Sequence, residues 1–512
     1  MIATATLTGD DLRIEDVWRV AVEGAPAELS DGARVKMRAA RLVVERAAHG
    51  TSEHTYGVNT GFGRFVSKSI PDELTKELQL RLLRSHACGV GEPYPDEVVR
   101  AAMLLRANTL AKGCSGARIE TTELLLDCLN RRVLPRVPSR GSVGASGDLA
   151  PLAHLALPLV GEGEAQVDGK HMNGADALAA VGLAPVQLEA KEGLSLINGT
   201  QFMTAFGALG LVRARRLAKS ADIACALSLE ALQGSRTSFI PEIHALRPLP
   251  GQRASAANVV RLLEGSAINE SHRWCDKVQD AYSLRCAPQV HGAVRDLLEY
   301  AEGTVAVELN AATDNPLVLV EEDLLVSNGN FHGQPLAFAL DALTMAVAEL
   351  ASISERRTER LVNPSLSGGL PAFLTPDGGL NSGFMLPQYV AASLVSENKV
   401  LAHPASVDSI PTSAGHEDHV SMGNTSALKA WQALANSEWT LAIELLAAAQ
   451  GVEFLAPLEP GRGAAAARAF VRSLSARLED DRPLAGDIDS VAAAIRNGDL
   501  VAAVETEIGD LA

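Results

Sequence analysis

Three short stretches of this chain carry side chains whose types and spacing could do chemistry. The first is Gly141-Ser-Val-Gly-Ala-Ser-Gly-Asp-Leu-Ala-Pro151. A phosphate cradle would read GxxxxGK[ST], and no lysine follows these glycines; a dinucleotide turn would read GxGxxG, and the spacing differs. A plain glycine turn into a helix is one reading. A second is open to Ala145-Ser146-Gly147: a sharp bend would set the Gly147 nitrogen against the Ala145 carbonyl carbon. Ring closure with loss of one water, and loss of another from Ser146, would leave a methylidene conjugated with a five-membered ring. Glycine suits the attacking position because it lacks the Cβ that would obstruct the bend. The product is an electrophile, which no ordinary side chain supplies.

The second stretch, Gln279-Asp-Ala-Tyr-Ser-Leu-Arg285, sets a phenol and a guanidinium three residues apart on one helical or turn face. A tyrosine ionises near pH ~10, so either Tyr282 or Tyr56 would need a depressed pKa to act as a base. The third is His416-Glu-Asp-His419. Two histidines three apart do not match HExxH, whose histidines are four apart, so no metal is expected.

Such groups need a scaffold, and the sequence supplies helices. In QPLAFALDALTMAVAEL, Leu336, Leu340, Leu343, Val347 and Leu350 fall at helical spacing, with Pro335 suited to a first turn. Leu434, Leu441, Leu445 and Ala448 form a second stripe, and Gly451 reads as its C-terminal stop. The stripes are wide and little broken by charge, which implies helices packed on several sides. Polar loops punctuate them and are the expected seat of chemistry.

The 512 residues exceed the size at which one core stops growing, so two or more subregions are expected. A net charge of −17 argues against nucleic acid as a partner. MIATATLTGDDLRIEDVWRV lacks a basic start and is not read as a signal peptide, and no uncharged apolar run reaches the ~18 residues of a membrane span. Six cysteines without regular spacing read as small apolar packers in a reducing cytosol, which places the protein in the cytoplasm.

GSVGASGDLAPLAHLALPLVGEGEA resembles the segment that forms 4-methylideneimidazol-5-one (MIO) in the aromatic amino acid ammonia-lyase family. YGVNTGFG, SHACGVG, LINGTQ, QDAYSLRCAPQ, SNGNFH and SENKVLAHPASVDSIPTSAGHEDHVSM resemble further family segments, in the family's order. The resemblance implies a mainly α fold, an elongated multi-helix bundle of the ammonia-lyase/fumarase-like type. It also implies an MIO-bearing N-terminal region over 1–200, a long-helix bundle over 201–455 and a helical tail over 456–512. MIO would arise from Ala145, Ser146 and Gly147 without any external cofactor. The chain would be a homotetramer whose active sites are shared between chains and whose partner is a small amino acid.

By the same resemblance Tyr56 and Tyr282 are rival bases and Arg285 grips the substrate carboxylate. Asn198 and Gln279 are amides near the prosthetic carbonyl or the substrate, and Asn330 and Phe331 belong to the pocket. Ser85-His86 and Glu417-Asp-His419 resemble the branch acting on histidine, in which His86 and Glu417 read the imidazole. An imidazole carries two nitrogens that must keep partners when buried, which a carboxylate and a histidine provide. Gly415 and His416 depart from that branch's usual Asn and Gln. The implied reaction is non-oxidative loss of ammonia from L-histidine to give trans-urocanate. The alternatives are a tyrosine or phenylalanine lyase or 2,3-aminomutase of the same family, and a non-catalytic helical scaffold whose GASG turn stays uncyclised.

Overall fold

A computed structural model describes residues 3–50, 56–275 and 277–512. The helices that matter most for the site are α1 (Thr75–His86), α2 (Asp96–Ala111), α3 (Leu149–Ala156), α4 (Gln201–Ala231), α5 (Ala287–Glu308), α6 (Gln334–Val362) and α7 (Gly423–Glu453). The strands are short. Ala5–Leu7 pairs parallel with Ala27–Leu29, and Leu134–Pro135, Glu164–Val167 and Lys170–Asn173 make a three-stranded antiparallel sheet.

Local sequence explains these helices. Pro335 stands in the first turn of α6, where its missing N–H has no intrahelical partner to lose. The predicted stripe Leu336, Leu340, Leu343, Val347 and Leu350 is buried throughout, each leucine contributing on the order of 2 kcal/mol. One window of α6 is apolar enough to cross a membrane by length and composition, with a mean hydropathy of 1.7. However, 72% of that window is buried inside the protein, as in a core helix. The uncharged-run criterion passed over this window, which tolerates up to two charges. In α2 every residue from Val98 to Ala111 is buried; such a helix is wrapped on all sides and carries its polar residues inside. Gly451 is not a stop. The helix α7 runs on to Glu453, and a Cβ on Gly451 would lie 2.9 Å from the Cβ of Ala231, so the glycine permits close packing.

The chain forms two compact units. The first is Met1–Val212 with Glu302–Asp341 and Pro404–Leu428; the second is Arg213–Ala301 with Ala342–His403 and Lys429–Ala512. This differs from the expected consecutive segments 1–200, 201–455 and 456–512. Four of the five boundaries fall inside α4, α5, α6 and α7, and the fifth, between His403 and Pro404, lies in a loop. In the second unit Arg357 and Glu444, both fully buried, pair at 2.5 and 2.8 Å, with the Ser228 hydroxyl donating to the same carboxylate at 2.6 Å.

Candidate active site

The reactive stretch lies in the first unit, as a turn leading into α3. Gly147 has φ +68, and a Cβ there would lie 2.0 Å from the Gly199 carbonyl oxygen. Gly147 and Gly199 form a parallel bridge, and the Asp148 N–H donates to the same oxygen at 2.7 Å. Gly144, at φ +66, faces Ser421 so closely that a Cβ would lie 2.2 Å from its Oγ. That hydroxyl donates to the Gly144 carbonyl at 3.0 Å, and the Met422 N–H donates to Val143 at 2.9 Å. Ala145 is buried against Val420 and Met422. The bend is held by the Gly199 backbone against Gly147 and by the Ser421 hydroxyl against Gly144, and both positions favour glycine.

Two residues expected at the site meet here. The Ser146 hydroxyl reaches Glu417 Oε1 at 3.5 Å, and the Thr412 hydroxyl holds the other carboxylate oxygen at 2.6 Å. Residues 412 and 417 also bridge through their backbones, and Ser413 and Ala414 take left-handed φ of +52 and +53 inside that loop. Non-glycine residues in that region cost about 1–2 kcal/mol each, a strain found where a loop must present a functional side chain.

The Glu417 charge acts on both His86 and Tyr56. Burial lowers the His86 pKa, against a backbone hydrogen bond to Leu82 and the Glu417 charge, which both raise it. Its Nδ1 lies 2.9 Å from the Leu82 carbonyl, so that nitrogen carries the proton and Nε2 is left as an acceptor. Burial raises the Tyr56 phenol, Glu417 raises it further, and a backbone hydrogen bond at Gly63 only partly opposes them. A base at Tyr56 would need the opposite shift.

Sequence reasoning missed the groups behind the turn. Asp148 is fully buried and accepts from the Phe202 and Met203 N–H groups at 3.0 Å each, and from Ser142 at 3.1 Å. These are free donors of the first turn of α4. Burial, partly offset by these bonds, raises its carboxyl to about 7. An acid directly after GASG and before a helix was the available signal. Arg106, on α2, gave none; its Nη1 donates to the Asn198 carbonyl at 2.6 Å. The side-chain Oδ1 of Asn198 is buried without a hydrogen-bond partner among the described residues.

The loop of Asn330 and Phe331 reaches the turn through Gly333, whose N–H donates to the Gly144 carbonyl at 3.3 Å. Asn330 itself is exposed and Phe331 half-buried. His419 stacks on His332 at 5.9 Å, and among the described residues no group of three or more His, Cys, Asp or Glu is placed to hold a metal. Gln279, Tyr282 and Arg285 belong to the second unit and are joined to one another rather than to Ser146. Arg285 donates to Gln279 Oε1 at 2.7 Å, and its guanidinium lies 4.7 Å from the Tyr282 ring centre. Tyr282 is 71% exposed.

The residues present fit MIO. Gly147 is bent into a cradle that any Cβ would fill, Ala145 is small and buried, and Asn198 keeps a polar atom unpaired beside the bridge.

Comparison with known proteins agrees with this geometry. Residues 12–473 match the family model for aromatic amino acid lyase. A histidine ammonia-lyase of Gloeobacter violaceus is 56% identical over 505 residues, spanning 99% of this chain and 98% of its own. The crystal structure of histidine ammonia-lyase from Trypanosoma cruzi superposes with a TM-score of 0.91 at 46% identity, covering 99% of this chain and 96% of that one. That of tyrosine aminomutase from Streptomyces globisporus superposes at 0.94, with 39% identity and 100% of both chains covered.

Proposed function

The chain belongs to the aromatic amino acid lyase family, and on that premise we propose that it eliminates ammonia from L-histidine to give trans-urocanate. It is a carbon–nitrogen lyase. The observation that carries the substrate assignment is Glu417, whose carboxylate faces the Ser146 hydroxyl at 3.5 Å and whose charge also acts on His86 and Tyr56. His86 Nε2 and Glu417 are both acceptors, so together they suit the imidazolium form of the substrate, which donates from both ring nitrogens. A tyrosine or phenylalanine ring would leave both groups stranded, at about 1–3 kcal/mol each. The close superposition on a tyrosine aminomutase is a match of scaffold; these two side chains favour histidine.

Cyclised from Ala145-Ser146-Gly147, MIO would supply the electrophile that makes the substrate amine a better leaving group. The remaining roles fall to ordinary side chains. Asn198 offers an unpaired amide beside the bend. Tyr56 stands with its phenol buried under the influence of the Glu417 charge. Proton removal from the substrate's β-carbon is assigned to Tyr282, which has a guanidinium against its ring. Arg285, oriented by Gln279, receives the substrate carboxylate on its planar fork. Phe331 and Asn330 close the pocket.

Tyr282 and Gln279 are exposed on a single chain, which supports a homotetramer whose sites combine loops of different copies. The six unpaired cysteines, two of them exposed, support a reducing cytoplasmic location. Incubation with L-histidine, L-tyrosine and L-phenylalanine tests the substrate assignment. Urocanate from histidine alone is expected; coumarate or cinnamate without urocanate would overturn it. Mixing S146A and Y282F subunits tests the shared site, because activity returns only if different copies supply the two residues.

A further inference from the structure

Arg106 is fully buried on α2, and its Nε and Nη2 have no hydrogen-bond partner among the described residues. The carboxylate that acts on it, Asp314, is paired with Lys191 at 2.9 Å. Burial lowers the guanidinium to about 10, which leaves it charged at neutral pH. A cation placed this way is expensive to bury, so the contacts it does make demand an explanation. Its Nη1 donates to the Asn198 carbonyl at 2.6 Å and to Gln201 Oε1 at 3.1 Å. Gln201 in turn donates to Thr109 at 3.1 Å and Thr313 at 3.0 Å, so Asn198-Gly199 rests on a braced plate.

Gly199 is gripped on both faces. A Cβ on it would lie 2.7 Å from Arg106 Nη1 and 2.5 Å from the Thr313 carbonyl oxygen. Its own carbonyl oxygen stands 2.0 Å from where a Gly147 Cβ would be. Arg106 therefore acts on the reactive turn through one intervening peptide, and it touches no reacting atom.

We infer that Arg106 is a positioning residue for ring closure in Ala145-Ser146-Gly147, holding Asn198-Gly199 as the surface against which Gly147 takes its bend. The inference rests on the proposed MIO chemistry. In that closure the Gly147 nitrogen bonds to the Ala145 carbonyl carbon. The carbonyl oxygen leaves as water with one proton from the Gly147 nitrogen and one from the Ser146 nitrogen, leaving a carbon–nitrogen double bond. A second water takes the Ser146 hydroxyl and its Cα hydrogen. No oxidant or external reagent is needed. What the step needs is geometry, and a misplacement of about 1 Å can slow a reaction by about a hundredfold.

The test compares the full-length wild type with R106M and R106K by intact mass, circular dichroism and steady-state kinetics. The wild type is expected to weigh two waters less than its translated sequence. R106M is expected to keep its helical signal but lose the deficit in most molecules. Its kcat should fall in proportion to the cyclised fraction while KM for histidine stays unchanged. R106K, which keeps a charged donor, should recover part of the deficit. A folded R106M with the complete deficit and wild-type kcat overturns the inference. Should R106M fail to fold, R106Q is read by the same mass and kcat criteria. A wild type of full mass overturns the MIO reading itself, which separates that failure from a failure of Arg106.

Discussion

Replacing Gly147 by alanine changes one hydrogen into a methyl group, and the structure sets what that methyl meets. Its carbon would lie 2.0, 2.2 and 2.8 Å from the oxygen, carbonyl carbon and Cα of Gly199, all backbone atoms that cannot rotate away. Alanine at φ +68 adds about 1–2 kcal/mol. Relief of the overlap requires the two strands of backbone to part, which breaks the 2.7 Å bond from the Asp148 N–H to Gly199. Stranding that buried donor and acceptor costs about 1–3 kcal/mol for each group. The sum is roughly 3–8 kcal/mol, a large part of the 5–15 kcal/mol that holds an ordinary domain together. Urea unfolding of G147A should show a midpoint lowered accordingly, and any folded fraction should have the uncyclised mass and negligible turnover. A G147A protein within about 1 kcal/mol of wild type that keeps the two-water deficit would refute the steric argument.

Glu417→Gln keeps the shape and removes the charge. It should lower kcat/KM for histidine about 10–150-fold, the worth of a charge-assisted hydrogen bond, and should lower the pKa of Tyr56, which Glu417 now raises; a pH–rate profile reads both. Glu444→Gln leaves the buried Arg357 guanidinium without its counter-charge and should cost about 3–5 kcal/mol by chemical denaturation. Asp148, raised to about 7 by burial, binds its proton more tightly folded than unfolded. Its contribution is therefore full below pH ~4 and is lost as pH rises through about 7, at most about 4 kcal/mol. In D148N the stability difference between pH 5 and pH 8 should shrink relative to wild type, read by urea midpoints at both pH values.

The extent to which the site could be read from the sequence depended on distance along the chain. The GASG turn, the Tyr282–Arg285 face and the apolar stripe of α6 are local patterns, and the structure reproduces each as a bend, a ring–guanidinium contact and a buried row. Glu417 and His86 rest on the resemblance; the structure brings Glu417 to Ser146 across 271 residues, and its charge acts on His86. Arg106 is silent for a different reason. An arginine inside LLRANTLAKG looks like any helical residue, and its partners Asn198 and Gln201 lie 92 and 95 residues away. The surroundings of Tyr56 are likewise non-local: its burial and the Glu417 charge both act against the ionised form. Four of the five unit boundaries fall within helices, where no change of composition marks them.

The most direct test of the account is the product formed from L-histidine by the purified protein, followed by ultraviolet absorbance and confirmed by mass, with ammonia measured alongside. The account predicts trans-urocanate and ammonia in equal amounts, and no comparable product from tyrosine or phenylalanine. Absence of urocanate from a folded protein that carries the two-water deficit, with coumarate or cinnamate formed instead, would contradict it.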